Sequence, residues 1–405
     1  MNRKALYILL FFVIVAHSVS RSQPVFRNLS YGLTYERGNL IPGDKYGKDL
    51  IKGNNYSSYA FHVSYRADSL RATPSDLSFG YPVIEGGILV SDYSRSPLYH
   101  PSSSTSGNIG YMIGLYGKFC RDLFNTGSFR MGYTIANGIG VSTRPYSYPD
   151  NQANEFIGSR FSIYFSTDLY AAYRFHPRFE VMLSGGLKHY SNSALGRPNK
   201  GANTLGMALG MRYYPSADVT PLYKVYNPSS SPLRRLELDL NAGCNLHTMI
   251  EGWYYFLGDP STRPSRFQVH PSFAASVSAM YRYHIKFSSG IGIDYIRPSY
   301  VSESTRLDTA MGGKNQTYSP HILGVSLKHE IHYRQLSLCV GLGYYLHREL
   351  GHFDRLMSKP YYETIGLRYY IPHTPLYVSY HVLAHLFRAD SMQFGIGIRQ
   401  PLAFL

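Results

Sequence analysis

Cysteine, tryptophan and acidic side chains are scarce in this 405-residue chain. Three cysteines, Cys120, Cys244 and Cys339, make an odd count without metal-ligand spacing, which excludes a disulfide framework and a cysteine zinc site. Each falls inside a predicted strand, as a buried or lipid-facing thiol. The histidines show no zinc spacing either, and no metal or other cofactor is expected. Loop aspartates leave calcium ligation open, with nothing pointing to it. Beyond the N-terminus no stretch reaches the ~18 uninterrupted apolar residues that a membrane helix needs. Asp and Glu number 25 against 40 Lys and Arg, a net charge of +15. That surplus suits phosphorylated glycolipid neighbours; scattered solubilising charge accounts for it as well. No nucleic-acid partner is expected, and the oligomeric state is open.

Residues 1–20 have the form of a secretory signal peptide: Arg3 and Lys4, an apolar core from Ala5 to Ala16, then Ser18 and Ser20 at small-residue positions. No cysteine follows, so lipoprotein processing is not expected.

What the chain has in plenty is tyrosine (39), glycine (37) and phenylalanine (21) beside its single tryptophan. Alternating strands rich in Tyr and Gly predict an all-β antiparallel transmembrane barrel. A secreted β-sandwich also alternates, but here apolar faces continue strand after strand. Eight strands are predicted up to Tyr214: 26–37, 56–66, 86–93, 108–121, 128–142, 160–175, 179–192 and 203–214. Residues 215–233, rich in Pro and Ser, read as a linker. About eight more strands follow in 234–405, near 236–246, 267–283, 286–296, 321–332, 335–347, 361–371, 376–385 and 391–401.

The second half echoes the first. Ala202–Arg212 aligns with Ala389–Arg399, which implies a duplicated eight-strand unit, 21–214 and 234–405. His189 then falls on His385 and Asn203 on Asp390, while the loop with Ser191 has no counterpart. The second unit is therefore expected to be a degenerate, non-catalytic copy. Asp390 is a remote candidate for a carboxylate supplied across the structure. Two small barrels or one of about sixteen strands both leave every membrane strand paired; one large barrel is slightly preferred, since single chains usually make single barrels.

The chemistry concentrates in Arg178–Tyr214, read as a hairpin with arms 179–192 and 203–214. Successive strand residues point to opposite faces. Leu205, Met207, Leu209 and Met211 share one face with Asn203. On the first arm Val181, Leu183, Gly185 and Leu187 are followed in parity by His189 and Ser191. A base and a hydroxyl two residues apart lie roughly 6.5–7 Å apart along the strand, which side-chain reach can close. Ser191 as nucleophile, His189 as general base and Asn203 as orienter would thus stand on a lipid-facing surface. A second His-x-Ser, His62 and Ser64, has the opposite parity and is expected to face inward.

His189-Tyr190-Ser191-Asn192, then Pro198-Asn199-Lys200-Gly201 and Asn203, resemble the signature of the PagL-type lipid A 3-O-deacylases, small outer-membrane barrels with a Ser-His-acid triad facing the membrane. The resemblance implies Ser191 and His189 as nucleophile and base, Asn192 and Asn199 as oxyanion donors, and a bacterial outer-membrane location with lipid A of lipopolysaccharide as substrate. The chain departs from the pattern in carrying Asn203 where that family has a carboxylate. Arg197 and Lys200 in the tip suit the phosphates of lipid A; solvated tip charge is the plainer explanation. Two functions stay open: an esterase that removes an acyl chain from lipid A, or a non-enzymatic barrel (channel, adhesin or scaffold) that retains the motif.

Overall fold

The computed structural model describes residues 28–68, 71–101, 104–148, 150–216, 234–258, 267–313, 316–386 and 388–402. The expected signal peptide and residues 217–233 of the expected linker lie outside them.

The first half contributes β1 (Leu29–Ile41), β2 (Tyr56–Arg66), β3 (Val83–Asp92), a rim hairpin β4 (Leu98–His100) and β5 (Thr105–Gly107), then β6 (Tyr111–Asn125), β7 (Phe129–Ser142), β8 (Phe161–His176), β9 (Phe179–Ser191) and β10 (Ala202–Tyr213). They close in the order β1-β10-β9-β8-β7-β6-β3-β2. The second half contributes β11 (Arg235–His247), β12 (His270–Arg282), β13 (Phe287–Arg297), β14 (Ile322–Tyr333), β15 (Leu336–His347), β16 (Tyr361–Tyr370), β17 (Leu376–His385) and β18 (Arg388–Pro401), closed in sequence order. All sixteen predicted barrel strands are present as two barrels of eight. The preference for one large barrel is thereby corrected. The reason is edge pairing: β1 runs antiparallel to β10 from Tyr31↔Tyr213 to Ile41↔Asn203, and β11 to β18 from Glu237↔Pro401 to His247↔Ser391. Each half satisfies its own edges, so neither needs the other to close.

The outer faces are apolar. On β10, Leu205, Met207, Leu209 and Met211 are 55, 65, 58 and 51 % exposed, a stripe that water does not tolerate and lipid does. No helix among the described residues is long and apolar enough to cross a membrane; the strands do the crossing. The lumens are charged and filled. Arg130 grips Glu180 at 2.7 Å, and Arg212 bridges Glu180 and Glu85. In barrel 2, Arg368 holds Asp239 and Glu330 at 2.7 Å each, and Arg399 joins the same two carboxylates. Small eight-strand barrels have interiors that side chains can fill, and these buried ion pairs fill them, which weighs against a channel.

Short helices decorate the connections: α1 (Lys45–Leu50), α2 (Pro74–Ser78), α3 (Ile250–Gly258), α4 (Val301–Ala310) and α5 (His352–Met357). All except α2 lie at the long-loop rim, where β9 also ends.

The barrels dock side by side. At the short-turn rim, buried Asp76 of α2 accepts from Tyr333 at 2.6 Å and Arg334 at 2.7 Å, beside an edge-on cluster of Phe79, Phe119 and Tyr333. Burial pushes the Asp76 carboxyl up, but the Arg334 guanidinium and the Thr73 and Tyr333 donors outweigh it and hold it below the ordinary value. Midway along, the Tyr380 hydroxyl of β17 donates to the Asn137 amide oxygen on the outer face of β7. An unpaired amide facing hydrocarbon would cost several kcal/mol, so this pair favours docking over separation. At the long-loop rim Tyr146 packs edge-on against Trp253 of α3, ring centroids 5.5 Å apart.

Candidate active site

The β9–β10 register sets Asn203 directly opposite His189 and Ala202 opposite Tyr190. His189 and Ser191 share the outward parity of the exposed Leu183 and Leu187 and stand just above them, His189 half-buried and Ser191 only 7 % exposed beneath the tip that follows it. Tyr190, between them, points inward and is 0 % exposed. Its hydroxyl is 3.1 Å from Ser91 Oγ, and its ring lies 5.0 Å from that of Tyr164. A buried tyrosine thus pins the strand at the position flanked by His189 and Ser191.

His189 Nε2 is 2.8 Å from Ser191 Oγ, and His189 Nδ1 is 2.6 Å from Asn203 Oδ1. An amide oxygen only accepts, so Nδ1 carries the proton and donates to it. Nε2 is then left with its lone pair toward the serine hydroxyl, the tautomer that a general base requires.

The tip, residues 192–201, folds over Ser191. Ser193 and Ala194 have left-handed φ of 49° and 65° and are both buried; that backbone costs free energy for non-glycine residues and persists only where its surroundings hold it. They do so from two sides. Asn199 Oδ1 accepts from the Asn192 N–H at 3.1 Å. The Asn192 amide donates to Ser159 Oγ at 3.1 Å and to the Gly196 carbonyl at 3.2 Å. The 143–160 loop then receives the far end, with Lys200 and Gly201 N–H groups donating to the Glu155 and Phe156 carbonyls at 3.1 and 3.0 Å. A Cβ on Gly158 would come within 1.8 Å of the Pro198 oxygen, so the two loops meet backbone to backbone.

Sequence reasoning gave Gly201 no catalytic part. It has φ +75°, and a Cβ there would lie 2.7 Å from His189 Cε1. The run Lys200-Gly201-Ala202 just before Asn203 was the available signal. Gly201→Ala would strain the backbone and displace the imidazole. A shift of about 1 Å in a reacting group costs on the order of 10²-fold in rate, so kcat for this variant is expected to fall by about that factor while unheated-gel mobility still reports a folded barrel.

The other expected residues separate. The Asn192 donors are engaged with Asn199, Ser159 and Gly196, which corrects its expected place as an oxyanion donor, while Asn199 uses its Oδ1 to accept from the Asn192 N–H. Arg197 is not a surface cation: it is 6 % exposed and donates through Nε and Nη2 to the Thr248 carbonyl at 3.1 and 2.8 Å. Its expected contact with a substrate phosphate is therefore replaced by a contact with barrel 2. Burial pushes its guanidinium down to about 10, against the pull of Asp390 and Glu251. Lys200 remains at the rim, paired with Asp44 at 2.8 Å and above the Tyr46 ring. Lys188 points into the lumen and pairs with Glu36. His62 and Ser64 are buried inside, as their parity requires. Asp390 lies in barrel 2 with its carboxylate 3.6 Å from His247 and 3.7 Å from His385. It cannot serve as the missing acid, because Asn203 already occupies His189 Nδ1.

Residues 117–212 match the family model described as lipid A 3-O-deacylase (PagL), and residues 244–401 match that of the acyloxyacyl hydrolase C-terminal domain. No curated protein matches the chain. Among solved structures, the outer membrane enzyme PagL is similar at 13 % identity, with 44 % of this chain and 97 % of that one covered and a TM-score of 0.28. The siderophore receptor PirA from Acinetobacter baumannii is similar at 9 % identity, with 89 % and 53 % covered and a TM-score of 0.25.

Proposed function

Because the chain belongs to the PagL-type family of outer-membrane lipid A deacylases and acyloxyacyl hydrolases, we propose that it is a serine esterase that removes an ester-linked acyl chain from lipid A. One observation carries this reading: Ser191, His189 and Asn203 form a hydrogen-bonded line on the face that meets lipid.

Ser191 Oγ attacks the ester carbonyl as His189 Nε2 takes its proton. The imidazolium so formed donates its Nδ1 proton to Asn203 Oδ1. Negative charge on the tetrahedral oxygen meets the Asn199 NH2 and the N–H groups of Ser193 and Ala194. Collapse expels the sugar oxygen, which takes the proton back from His189 Nε2, and leaves the acyl group on Ser191. Water, deprotonated by the same nitrogen, then attacks the acyl-enzyme, and Ser191 Oγ leaves with that proton returned from His189 Nε2 as the fatty acid is freed. Long loops of outer-membrane barrels face the cell exterior, so the site stands at the level of lipopolysaccharide. The substrate reaches it by lateral diffusion, with its chains against Leu187, Leu205 and Met207. Lys200, partly exposed at the rim, is the cation assigned to a lipid A phosphate.

Mass spectrometry of lipid A from cells that make this chain tests the reading. Loss of the mass of one acyl chain, absent in cells that make Ser191→Ala, supports it. Identical lipid A in both strains removes the esterase reading and leaves a non-enzymatic barrel.

A further inference from the structure

We propose that barrel 2 is a positioning element for the reaction of barrel 1, and that Arg197 is the residue through which it acts. The inference rests on the esterase reading for its catalytic consequence and on geometry alone for the clamp.

Arg197 lies six residues beyond Ser191 and six before Asn203, inside the segment that roofs the site. Among the described residues its hydrogen-bond partner is in barrel 2: both Nε and Nη2 converge on the Thr248 carbonyl. Thr248 sits between the end of β11 and the start of α3, on the rim of the second barrel. Carboxylates of Asp390 and Glu251, also in barrel 2, favour the buried cation, while Arg388 opposes it. A guanidinium this buried is tolerated only where charge and acceptors wait for it.

A second route joins the same parts. Trp253 of α3 packs on Tyr146 in the 143–160 loop. That loop's Glu155 and Phe156 carbonyls hold Lys200 and Gly201, and its Ser159 holds Asn192. Barrel 2 therefore touches the roof directly at Arg197 and indirectly through the loop that braces its two ends. The roof needs such support because Ser193 and Ala194 hold left-handed backbone. Ser191, His189 and Asn203 do not need it, because strand pairing fixes them, His189 opposite Asn203 in the β9–β10 ladder and Ser191 opposite Ile163 in the β8–β9 ladder. The clamp is thus predicted to govern oxyanion geometry and to leave the proton path alone. This gives the half that lacks a nucleophile a role in the reaction.

The test uses full-length chains in detergent or vesicles: wild type, Arg197→Ala, Arg197→Lys, and the barrel 2 variants Glu251→Gln and Asp390→Asn. Unheated-gel mobility first selects folded protein. Hydrogen–deuterium exchange across residues 192–201 then reads the clamp without reference to activity, and hydrolysis of lipid A reads its consequence. Arg197→Ala is expected to raise exchange in that segment and to lower kcat by about 10–100-fold with KM within about threefold. Arg197→Lys is expected to recover part of both, and the two barrel 2 variants to show smaller changes of the same sign. Unchanged exchange in folded Arg197→Ala overturns the clamp whatever the activity. Raised exchange with unchanged kcat overturns the positioning role. A wild type that hydrolyses no lipid A, with exchange still raised by Arg197→Ala, leaves the clamp standing and counts against the esterase reading instead.

Discussion

Ser191→Ala is expected to lower kcat for lipid A by roughly 10⁴–10⁶-fold, as loss of the nucleophile does in serine hydrolases. The hydroxyl is 2.8 Å from His189 Nε2, the base proposed to activate it, and the buried Tyr190 lies between them in the strand. The His-x-Ser at His62 and Ser64 does not take its place, because both residues are sealed in the lumen. The fold should not suffer. Alanine removes one oxygen from a position whose backbone is locked in the ladder, and the loop contacts of Asn192 and Asn199 remain. A folded, inactive protein is the expected result, read from initial rates with lipid A in mixed micelles. Activity within tenfold of wild type would place the nucleophile elsewhere.

The second large effect concerns Asn203. Asparagine in place of a triad aspartate is costly where it holds the wrong tautomer, and in one serine protease it lowers kcat about 10⁴-fold. Here the amide oxygen faces Nδ1 at 2.6 Å, so the tautomer is the productive one. What the amide lacks is charge. Asn203→Asp puts a carboxylate against the imidazole and stabilises its protonated form, both in the resting enzyme and in the transition state. The acidic limb of the pH–rate profile should therefore move to higher pH, since that limb reports the histidine losing its proton. The plateau above it should rise. Asn203→Ala removes the acceptor altogether, frees the ring to turn and exchange tautomers, and should lower kcat by about 10³–10⁴-fold. Rate–pH curves for the three proteins check this. A plateau for Asn203→Ala equal to wild type, or an acidic limb that moves down in Asn203→Asp, contradicts the role given to residue 203.

Strand positions were legible because alternation is a local property. All sixteen predicted barrel segments overlap a strand, and the parity that set His189 outward and His62 inward holds in three dimensions. The hydrogen-bonded line of Ser191, His189 and Asn203 was legible for the same reason, since the three lie on one hairpin and a period of two fixes their faces. Closure was not. Whether residues 31–41 pair with 203–213 or with a strand of the second half is decided by contacts far apart in sequence. The roof was not legible either. Asn192 reads as a free amide until Ser159, from another loop, takes its donor. Arg197 reads as a solvated tip charge until the Thr248 carbonyl comes to meet it. Residues whose partners are on their own hairpin could be placed from the sequence, and residues whose partners belong to another loop or another barrel could not. The short helices escaped for a related reason. α1 and α2 are capped by Asp44 and Thr73 but span only six and five residues, too short for a helical period to emerge.

Covalent capture goes to the centre of the matter. The full-length protein in lipid is treated with a fluorophosphonate that carries a fatty chain, then digested, and the modified peptide is identified by mass spectrometry. Ser191 is expected to carry the adduct in wild type, to carry it far more slowly in His189→Ala, and to be the sole modified serine. An adduct on another serine, or none under conditions where lipid A is hydrolysed, would contradict a nucleophile at Ser191 that opens to the membrane.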